Sequence, residues 1–123
     1  MPGNSPAPAG WHVVTPRIVT PDPQGLVRFL QQVFDAEGAF HPGRPAELRI
    51  GDSWLMISGD DERDPMPAFL YVYVEDAETT FQRAITHGAT SLEDPRDTPY
   101  GDRRAMVRDD WGNTWQIAHR QAG

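Results

Sequence analysis

Aromatic and aliphatic residues alternate in residues 69–74, the stretch around which the rest of the chain is organised. Successive side chains of a strand point to opposite faces. The pattern therefore predicts an aromatic face with Phe69, Tyr71 and Tyr73, and an aliphatic face with Leu70, Val72 and Val74. An open sheet face ordinarily carries charged or small polar residues. A row of rings there predicts a surface that holds a ligand.

Two other segments have apolar residues at the spacing of a helix that packs on a sheet. The first stripe ends at Gly38, and the second, within residues 77–87, ends at Gly88, because glycine commonly follows a helix. The stripes consist of Leu26, Phe29, Leu30, Val33 and Phe34, and of Ala77, Phe81, Ala84 and Ile85.

Shorter alternating runs and turn residues predict the remaining strands. Pro16 lies in the first run, where its missing N–H favours an edge or a bulge. We expect residues 94–101 to be a loop and residues 59–65 an acidic, solvated linker. The other predicted strands are residues 11–19, 47–50, 53–58, 90–92, 104–108 and 114–119, with tight turns at 51–52 and 109–113.

The order of strand, helix and further strands occurs on both sides of the acidic linker, and neither half has enough strands to bury a sheet face alone. This predicts an α+β fold in which two βαβββ modules, residues 12–59 and 67–120, form a curved mixed sheet. Its cleft is expected to be concave, with the helices on the outer face. Residues 1–11 are expected to form a flexible tail, and residues 12–123 a single domain.

The amino-acid composition excludes several classes of partner and of chemistry. The 123-residue chain has a formal net charge of −7, which disfavours nucleic acid and anionic membranes as partners. It has no cysteine, which excludes disulfides and thiolate chemistry. The first ten residues lack the basic and apolar parts of a secretory signal, so we expect a cytoplasmic location.

Three stretches carry a resemblance to a known family. They are residues 14–19 (Val-Thr-Pro-Arg-Ile-Val), residues 46–53 (Ala-Glu-Leu-Arg-Ile-Gly-Asp-Ser) and residues 108–116, which contain an Asp-x-x-Gly-Asn turn. With them the chain resembles the vicinal oxygen chelate, or glyoxalase/bleomycin-resistance, superfamily, and within it the PhnB-like branch. The superfamily hosts enzymes as well as drug binders, so the resemblance implies the fold more closely than the function.

Enzymes of this superfamily usually hold a divalent metal with one ligand from each of four strands. The resemblance places these positions at Thr15, Met56, Phe69 and Gln116. Only Gln116 is an ordinary ligand, because a thioether and a phenyl ring cannot complete a shell of hard or borderline donors. We therefore expect no metal and no other cofactor.

The chain has four histidines, and these and Glu47 are further candidates for acid–base chemistry. We interpret His87 as a structural residue at a helix end and His12 and His119 as surface residues, although the last two could be neighbours if the modules match. His41 and Glu47 flank the predicted cleft, and either could act as a general base. Tyr73 and Tyr100 would need a special neighbour to transfer protons near neutrality, since a phenol has a pKa of about 10. We assign no catalytic residue.

The predicted function is sequestration of an aromatic or cationic natural product by a metal-free homodimer of the bleomycin-resistance type. The alternative is a metal-independent isomerase, cyclase or lyase that uses Arg17 or Arg108 with Glu47 or His41. A third hypothesis is that the aromatic face is a dimer interface. The predicted ligand-binding residues are Arg17, Trp54, Met56, Phe69, Tyr71, Tyr73, Tyr100, Met106, Arg108, Trp111 and Gln116.

Overall fold

The computed structural model of the protein describes residues 5–122, which contain seven strands and two helices. In chain order they are β1 (Arg17–Val19), α1 (Pro23–Phe34), β2 (Ala46–Ile50), β3 (Ser53–Ser58), β4 (Phe69–Tyr73), α2 (Ala77–Thr86), β5 (Thr90–Asp97), β6 (Asp102–Arg108) and β7 (Thr114–Arg120). The chain divides into two compact units between Met66 and Pro67, and Gln32–Phe34 of α1 group with the second unit. The predicted α+β class is confirmed. The strands of these residues form two hydrogen-bonded mixed sheets, whereas the sequence predicted one.

The sheet of the first unit has the order β1-β3-β2. β1 pairs with β3 in parallel, and β2 pairs with β3 antiparallel through a turn at Gly51, whose φ of 59° suits a hairpin. One sheet face is buried, with Ile18, Leu48 and Ile57 at 0–1% exposure. The unit has one strand fewer than the predicted module. Glu37 makes only an isolated bridge to Arg49 of β2.

Helix α1 begins and ends with local hydrogen bonds. The Asp22 carboxylate accepts a hydrogen bond from the Gly25 N–H at 3.0 Å, and Pro23 occupies the first turn, where no N–H is needed. The helix ends at Asp35, in the left-handed conformation, so the prediction that Gly38 ends it was wrong. Gly38 has a different role: its φ is 116°, and an added Cβ would collide with the Glu47 carbonyl oxygen.

The sheet of the second unit has the order β4-β7-β6-β5. β4 and β7 are parallel, and the other pairs are antiparallel. One face is buried with α2, whose Phe81 and Ala84 are nearly or fully inaccessible. The buried sheet residues are Ala105, Val107, Trp115 and Ile117.

The outer strand β5 was predicted too short. It runs from Thr90 to Asp97, across the segment expected to be a loop, and it contains Pro95. Its pairing with β6 shifts register twice, between Ser91 and Glu93 and between Glu93 and Arg96. A strand at the edge of a sheet tolerates proline and bulges because one side of its backbone needs no partner.

Helix α2 is capped by two side chains. The Asp76 carboxylate accepts hydrogen bonds from the Glu78 N–H and the Thr79 hydroxyl, and His119 Nδ1 accepts one from the Ala77 N–H at 2.8 Å. His119 is therefore a helix-capping residue. The expected stop at Gly88 is confirmed, since its φ is 103° just after the helix. Within residues 5–122 neither helix combines the length and apolar character needed to span a bilayer.

Candidate functional site

The unburied side of the second sheet, which we call the open face, is ordered in three rows across β4, β7 and β6. Paired residues of neighbouring strands point to the same side, so the register determines the rows. They are Phe69–Thr114–Arg108, Tyr71–Gln116–Met106 and Tyr73–Ala118–Arg104. The open face thus has an aromatic strand, a middle strand with smaller side chains, and a strand with two arginines.

A buried carboxylate holds two of the rings. Asp102 is 0% exposed, and its Oδ2 accepts hydrogen bonds from the hydroxyls of Tyr71 at 2.7 Å and Tyr73 at 2.8 Å. The two rings are tilted against each other with centroids 5.3 Å apart. Burial acts to raise the pKa of Asp102, but the two hydroxyls and the charge of Arg120 together hold it below its usual value. Asp102 is therefore an anion at neutral pH.

The other oxygen of this carboxylate has a weaker partner. Asp102 Oδ1 is buried and lacks an aligned hydrogen bond within the described residues, although Arg120 Nε lies 3.2 Å away as an ion pair. Arg120 also donates a hydrogen bond to the Tyr100 carbonyl oxygen. This arginine therefore connects β7 to the loop before β6.

Tyr100 lies in that loop and joins the ring cluster. Its hydroxyl is 3.2 Å from the Tyr71 hydroxyl and accepts a hydrogen bond from Arg104 Nη1 at 3.0 Å. Arg104 is oriented by Glu93, whose Oε1 accepts from its Nε and Nη2 at 3.1 and 2.8 Å. The single hydroxyl proton of Tyr71 goes to Asp102, so a neutral Tyr100 donates to Tyr71. A continuous hydrogen-bonded chain therefore runs from Arg104 to Asp102.

These hydrogen bonds shift the pKa values of the three tyrosines in different directions. Hydrogen bonding with Tyr71, followed by the hydrogen bond and charge of Arg104, lowers the pKa of Tyr100. Burial and the hydrogen bonds with Tyr100 and Asp102 raise the pKa of Tyr71. The Asp102 hydrogen bond likewise raises the pKa of Tyr73. The special neighbour that the sequence did not reveal for Tyr100 is thus present.

Seven of the eleven predicted ligand-binding residues belong to this region. Six lie in the rows of the open face, and Tyr100 reaches them from its loop. The six are Phe69, Tyr71, Tyr73, Met106, Arg108 and Gln116.

Three other predicted residues lie in the first unit. Arg17 pairs with Met56, and its Nε donates to the Ser58 hydroxyl at 2.8 Å. Trp54 stacks on Trp11, with ring centroids 4.4 Å apart and planes 9° from parallel. One face of the Trp54 ring is therefore already covered by the segment before β1.

The remaining predicted residue, Trp111, lies in the turn between β6 and β7. This turn is built on Asp109, which is 4% exposed and accepts hydrogen bonds from the backbone N–H groups of Trp111 and Asn113. Its other oxygen accepts from Asn113 Nδ2 and Trp115 Nε1, both at 2.9 Å. Asn113 Oδ1 in turn accepts from the Ala68 N–H, which joins the turn to the start of β4. The Asp-x-x-Gly-Asn sequence thus forms a buried turn, stabilised by hydrogen bonds to Asp109 and joined to the start of β4.

The four positions at which the resemblance implies metal ligands do not form a suitable donor set. Phe69 and Gln116 are on the open face of the second sheet, and Thr15 and Met56 belong to the first unit. The amide of Gln116 and the hydroxyl of Thr15 are the only oxygen donors among the four. Within residues 5–122 no three His, Cys, Asp or Glu side chains are grouped as metal ligands.

The two residues considered as a general base lie in the first unit. Glu47 is paired with Met56, on the sheet face that also carries Arg17. His41 is exposed in the loop before β2. Neither side chain has an ion pair or hydrogen bond within the described residues.

Sequence reasoning missed Asp102, Arg104, Glu93 and Arg120. A signal for the first two existed, because Asp102 and Arg104 continue the period-two pattern of Met106 and Arg108. The predicted strand began at Arg104, so the pattern was not followed back to Asp102. Glu93 was hidden because a strand containing Pro95 resembles a loop.

Comparison with known proteins supports the same fold. The sequence model of the Glyoxalase/Bleomycin resistance protein/Dioxygenase superfamily matches residues 11–117. The crystal structure of TioX from Micromonospora sp. ML1 is similar with a TM-score of 0.75 and 24% identity, over 87% of this chain and 97% of that chain. The fosfomycin resistance protein FosX from Mesorhizobium loti is similar with a TM-score of 0.66 and 21% identity, over 88% and 91%.

A relative of unknown role is similar in sequence. The uncharacterized protein Mb0911c of Mycobacterium bovis is 28% identical, over 85% of this chain and 80% of that protein. The structural likenesses show the shared fold, and the superfamily match covers most of the chain. The chain therefore belongs to the glyoxalase/bleomycin resistance protein/dioxygenase superfamily.

Proposed function

We propose that this protein binds a small planar aromatic molecule on the open face of its second sheet and does so without a resident metal. The observation that carries the proposal is the exposure of its rings. Phe69 is 67% exposed, Tyr73 56% and Tyr100 51%, while the reverse side of the same sheet is core. Exposed large apolar groups gathered on one face commonly mark a binding surface.

The rings are held in place before any ligand arrives. Tyr71 and Tyr73 are tied to buried Asp102, and Tyr100 is tied to Tyr71 and Arg104. Side chains that are already ordered lose less conformational entropy on binding. Each aromatic contact with a flat ligand contributes about 0.5–1.5 kcal/mol beyond burial. Several such contacts therefore add to the affinity that burial of the ligand's rings supplies.

Replacing Phe69 with alanine tests the proposal. Phe69 is chosen because it is the most exposed of these rings and takes no part in the hydrogen-bonded cluster. Titration of wild-type tryptophan fluorescence with a panel of planar aromatic compounds, aromatic antibiotics included, is expected to show saturable quenching. Phe69→Ala should weaken that binding about tenfold, whereas Val13→Ala, at an exposed position of the first unit, should not. No binding by any member of the panel would contradict the proposal.

The same variant separates a ligand site from an interface. The resemblance also leads us to propose a homodimer, so sedimentation of the wild-type protein and of Phe69→Ala should be compared. We expect the same mass for both, because the ring serves a ligand. If Phe69→Ala abolishes the dimer and the wild-type protein binds no ligand, the open face is a dimer interface instead.

Metal independence has its own measurement. The donor set at Thr15, Met56, Phe69 and Gln116 is unsuited to a divalent ion. We therefore expect elemental analysis of protein purified without chelators to find less than about a tenth of a metal ion per chain, and EDTA to leave ligand affinity unchanged. Stoichiometric zinc, nickel, manganese or iron would contradict this part of the proposal, as would loss of binding on chelation.

A metal-independent isomerase or lyase is the second candidate, and Tyr100 favours it. A half-exposed phenol with a lowered pKa, beside a guanidinium, is suited to accept and return a proton. Its ionisation is tested by the tyrosine titration described below. Within the superfamily, the PhnB-like branch remains our prediction from the resemblance.

A further inference from the structure

We infer that the open face selects planar aromatic carboxylates, with the ring against β4 and the acid group toward Arg108 on β6. This rests on the proposed function and adds the chemical class of the ligand. It differs from what total charge suggests, because a chain with a net charge of −7 would be expected to prefer cations.

The first support is the order of side chains across the sheet. Aromatic residues line β4 and arginines line β6, while the strand between them, β7, contributes Thr114, Gln116 and Ala118 to the three rows that join β4 to β6. Adjacent strands are about 4.8 Å apart, so β4 and β6 lie about 10 Å from each other. That separation matches a fused bicyclic ring with a carboxylate at its end. Thr114 is shorter than Phe69 and Arg108 on either side of it, so this row leaves the ligand room above β7.

The second support is the difference between Arg108 and the other arginines of this face. Arg104 is held by Glu93, and Arg120 is paired with Asp102. Arg108 is exposed and, within residues 5–122, has no ion pair or hydrogen bond from its side chain. A guanidinium binds a carboxylate through two parallel hydrogen bonds, which makes this free arginine the anchor for an acid.

The third support is the set of polar groups beside Arg108. Thr114 lies directly between Phe69 and Arg108 in one row, and Gln116 occupies the next row. Both side chains are half-buried and, in the part of the chain that is described, make no hydrogen bonds of their own. Their hydroxyl and amide groups can donate to the second oxygen of a carboxylate.

Local charge also favours an anion. Four guanidiniums belong to or adjoin the open face: Arg96 and Arg104 share the carboxylate of Glu93, Arg120 is paired with Asp102, and Arg108 has no ion pair among the described residues. At physiological ionic strength charges are screened beyond about 8 Å. A bound ligand therefore responds to this local excess of positive charge more than to the net charge of the chain.

The test uses three probes with one ring system: 2-naphthoate, 2-naphthalenemethanol and 2-naphthylmethylammonium, titrated by calorimetry at pH 7. We expect naphthoate to bind at least about tenfold more tightly than the ammonium compound. Arg108→Gln should lower naphthoate affinity about tenfold and leave the alcohol within about twofold. Arg28→Gln, the same change of charge on the exposed side of α1, should alter neither.

The outcomes distinguish this inference from the function on which it rests. Tighter binding of the ammonium compound or the alcohol would overturn the carboxylate preference while leaving an aromatic-binding protein. An equal loss of naphthoate affinity in Arg28→Gln and Arg108→Gln would also overturn it, because the effect would then come from net charge. Failure of all three probes and of the wider aromatic panel would overturn the proposed function itself.

Discussion

Replacing Asp109 with alanine is expected to lower the free energy of unfolding by about 3 kcal/mol, the largest loss we predict for a single substitution in the second unit. The carboxylate accepts four hydrogen bonds inside the turn between β6 and β7. Its removal leaves buried donors without partners, among them the Trp115 indole N–H, and Trp115 is 0% exposed. Urea denaturation followed by far-UV circular dichroism measures the change.

Two companion variants make this prediction specific. Asp109→Asn keeps an acceptor for the backbone N–H groups but turns an amide N–H₂ toward the donors of Asn113 and Trp115, so it should also destabilise, by about 2 kcal/mol. Asp110→Ala is the matched control. Asp110 is exposed and outside this hydrogen-bonded set, so its change should stay within about 0.5 kcal/mol. Equal stabilities of the Asp109 and Asp110 variants would show that Asp109 does not stabilise this turn.

An alkaline titration followed by tyrosinate absorbance is expected to show one tyrosine that ionises before the other two. The chain has three tyrosines, and all of them contact one another or Asp102 in the ring cluster, so the signal reports on this cluster alone. Tyr100 should ionise first because its pKa is lowered, and Tyr73 and Tyr71 later because theirs are raised. In guanidinium-unfolded protein the three should titrate together near pH 10.

The same pKa shifts determine the pH dependence of stability. A phenol whose pKa is raised by folding stabilises the native state below its unfolded pKa, and this stabilisation is lost as the pH rises toward the folded value. Tyr71 and Tyr73 should therefore make the protein less stable above about pH 10. Tyr100 acts in the opposite sense, because its lowered pKa favours the folded state as it ionises between its folded and unfolded pKa values.

Asp102→Asn tests the cause of the late ionisations. Without the carboxylate charge, the pKa of Tyr73 should fall toward the usual value of about 10, and the pKa of Tyr71 should fall less, because burial and the hydrogen bond with Tyr100 still raise it. Glu78→Gln, a change of equal charge at an exposed helix position, should not move them. Three coincident ionisations in the folded wild-type protein would contradict the cluster and would remove the proton acceptor on which the enzyme candidate depends.

Most of the fold could be predicted because its signals are local. The alternation in residues 69–74 gave the faces of β4 correctly, and the two apolar stripes gave both helices. β5 was predicted too short because Pro95 is a poor strand residue, tolerated here by its edge position and shifted register. The end of α1 was misplaced because Asp35, rather than glycine, adopts the left-handed conformation.

The site was predictable only in part, for a physical reason. Period-two alternation determines which side of a strand a residue occupies, and this assigned Tyr71, Met106 and Gln116 to one face. It does not determine which distant residues meet. Asp102 contacts Tyr71 across 31 positions and Tyr73 across 29, and both contacts depend on the order of strands in the sheet. The pKa shifts of the tyrosines follow from those contacts, so they could not be predicted from the sequence either.

The two edges of the second sheet differ in their resistance to aggregation. β5 combines a proline, two register shifts and charged residues, which are the features that prevent an edge from pairing with another chain. At the opposite edge β4 reads Phe-Leu-Tyr-Val-Tyr, without charge, proline or bulge. Such a segment has the composition of a β-aggregating sequence. If strands of different molecules pair through this sheet when the protein is crowded or partly unfolded, we expect the pairing at β4 rather than at β5, and we expect a charged substitution on β4 to improve solubility.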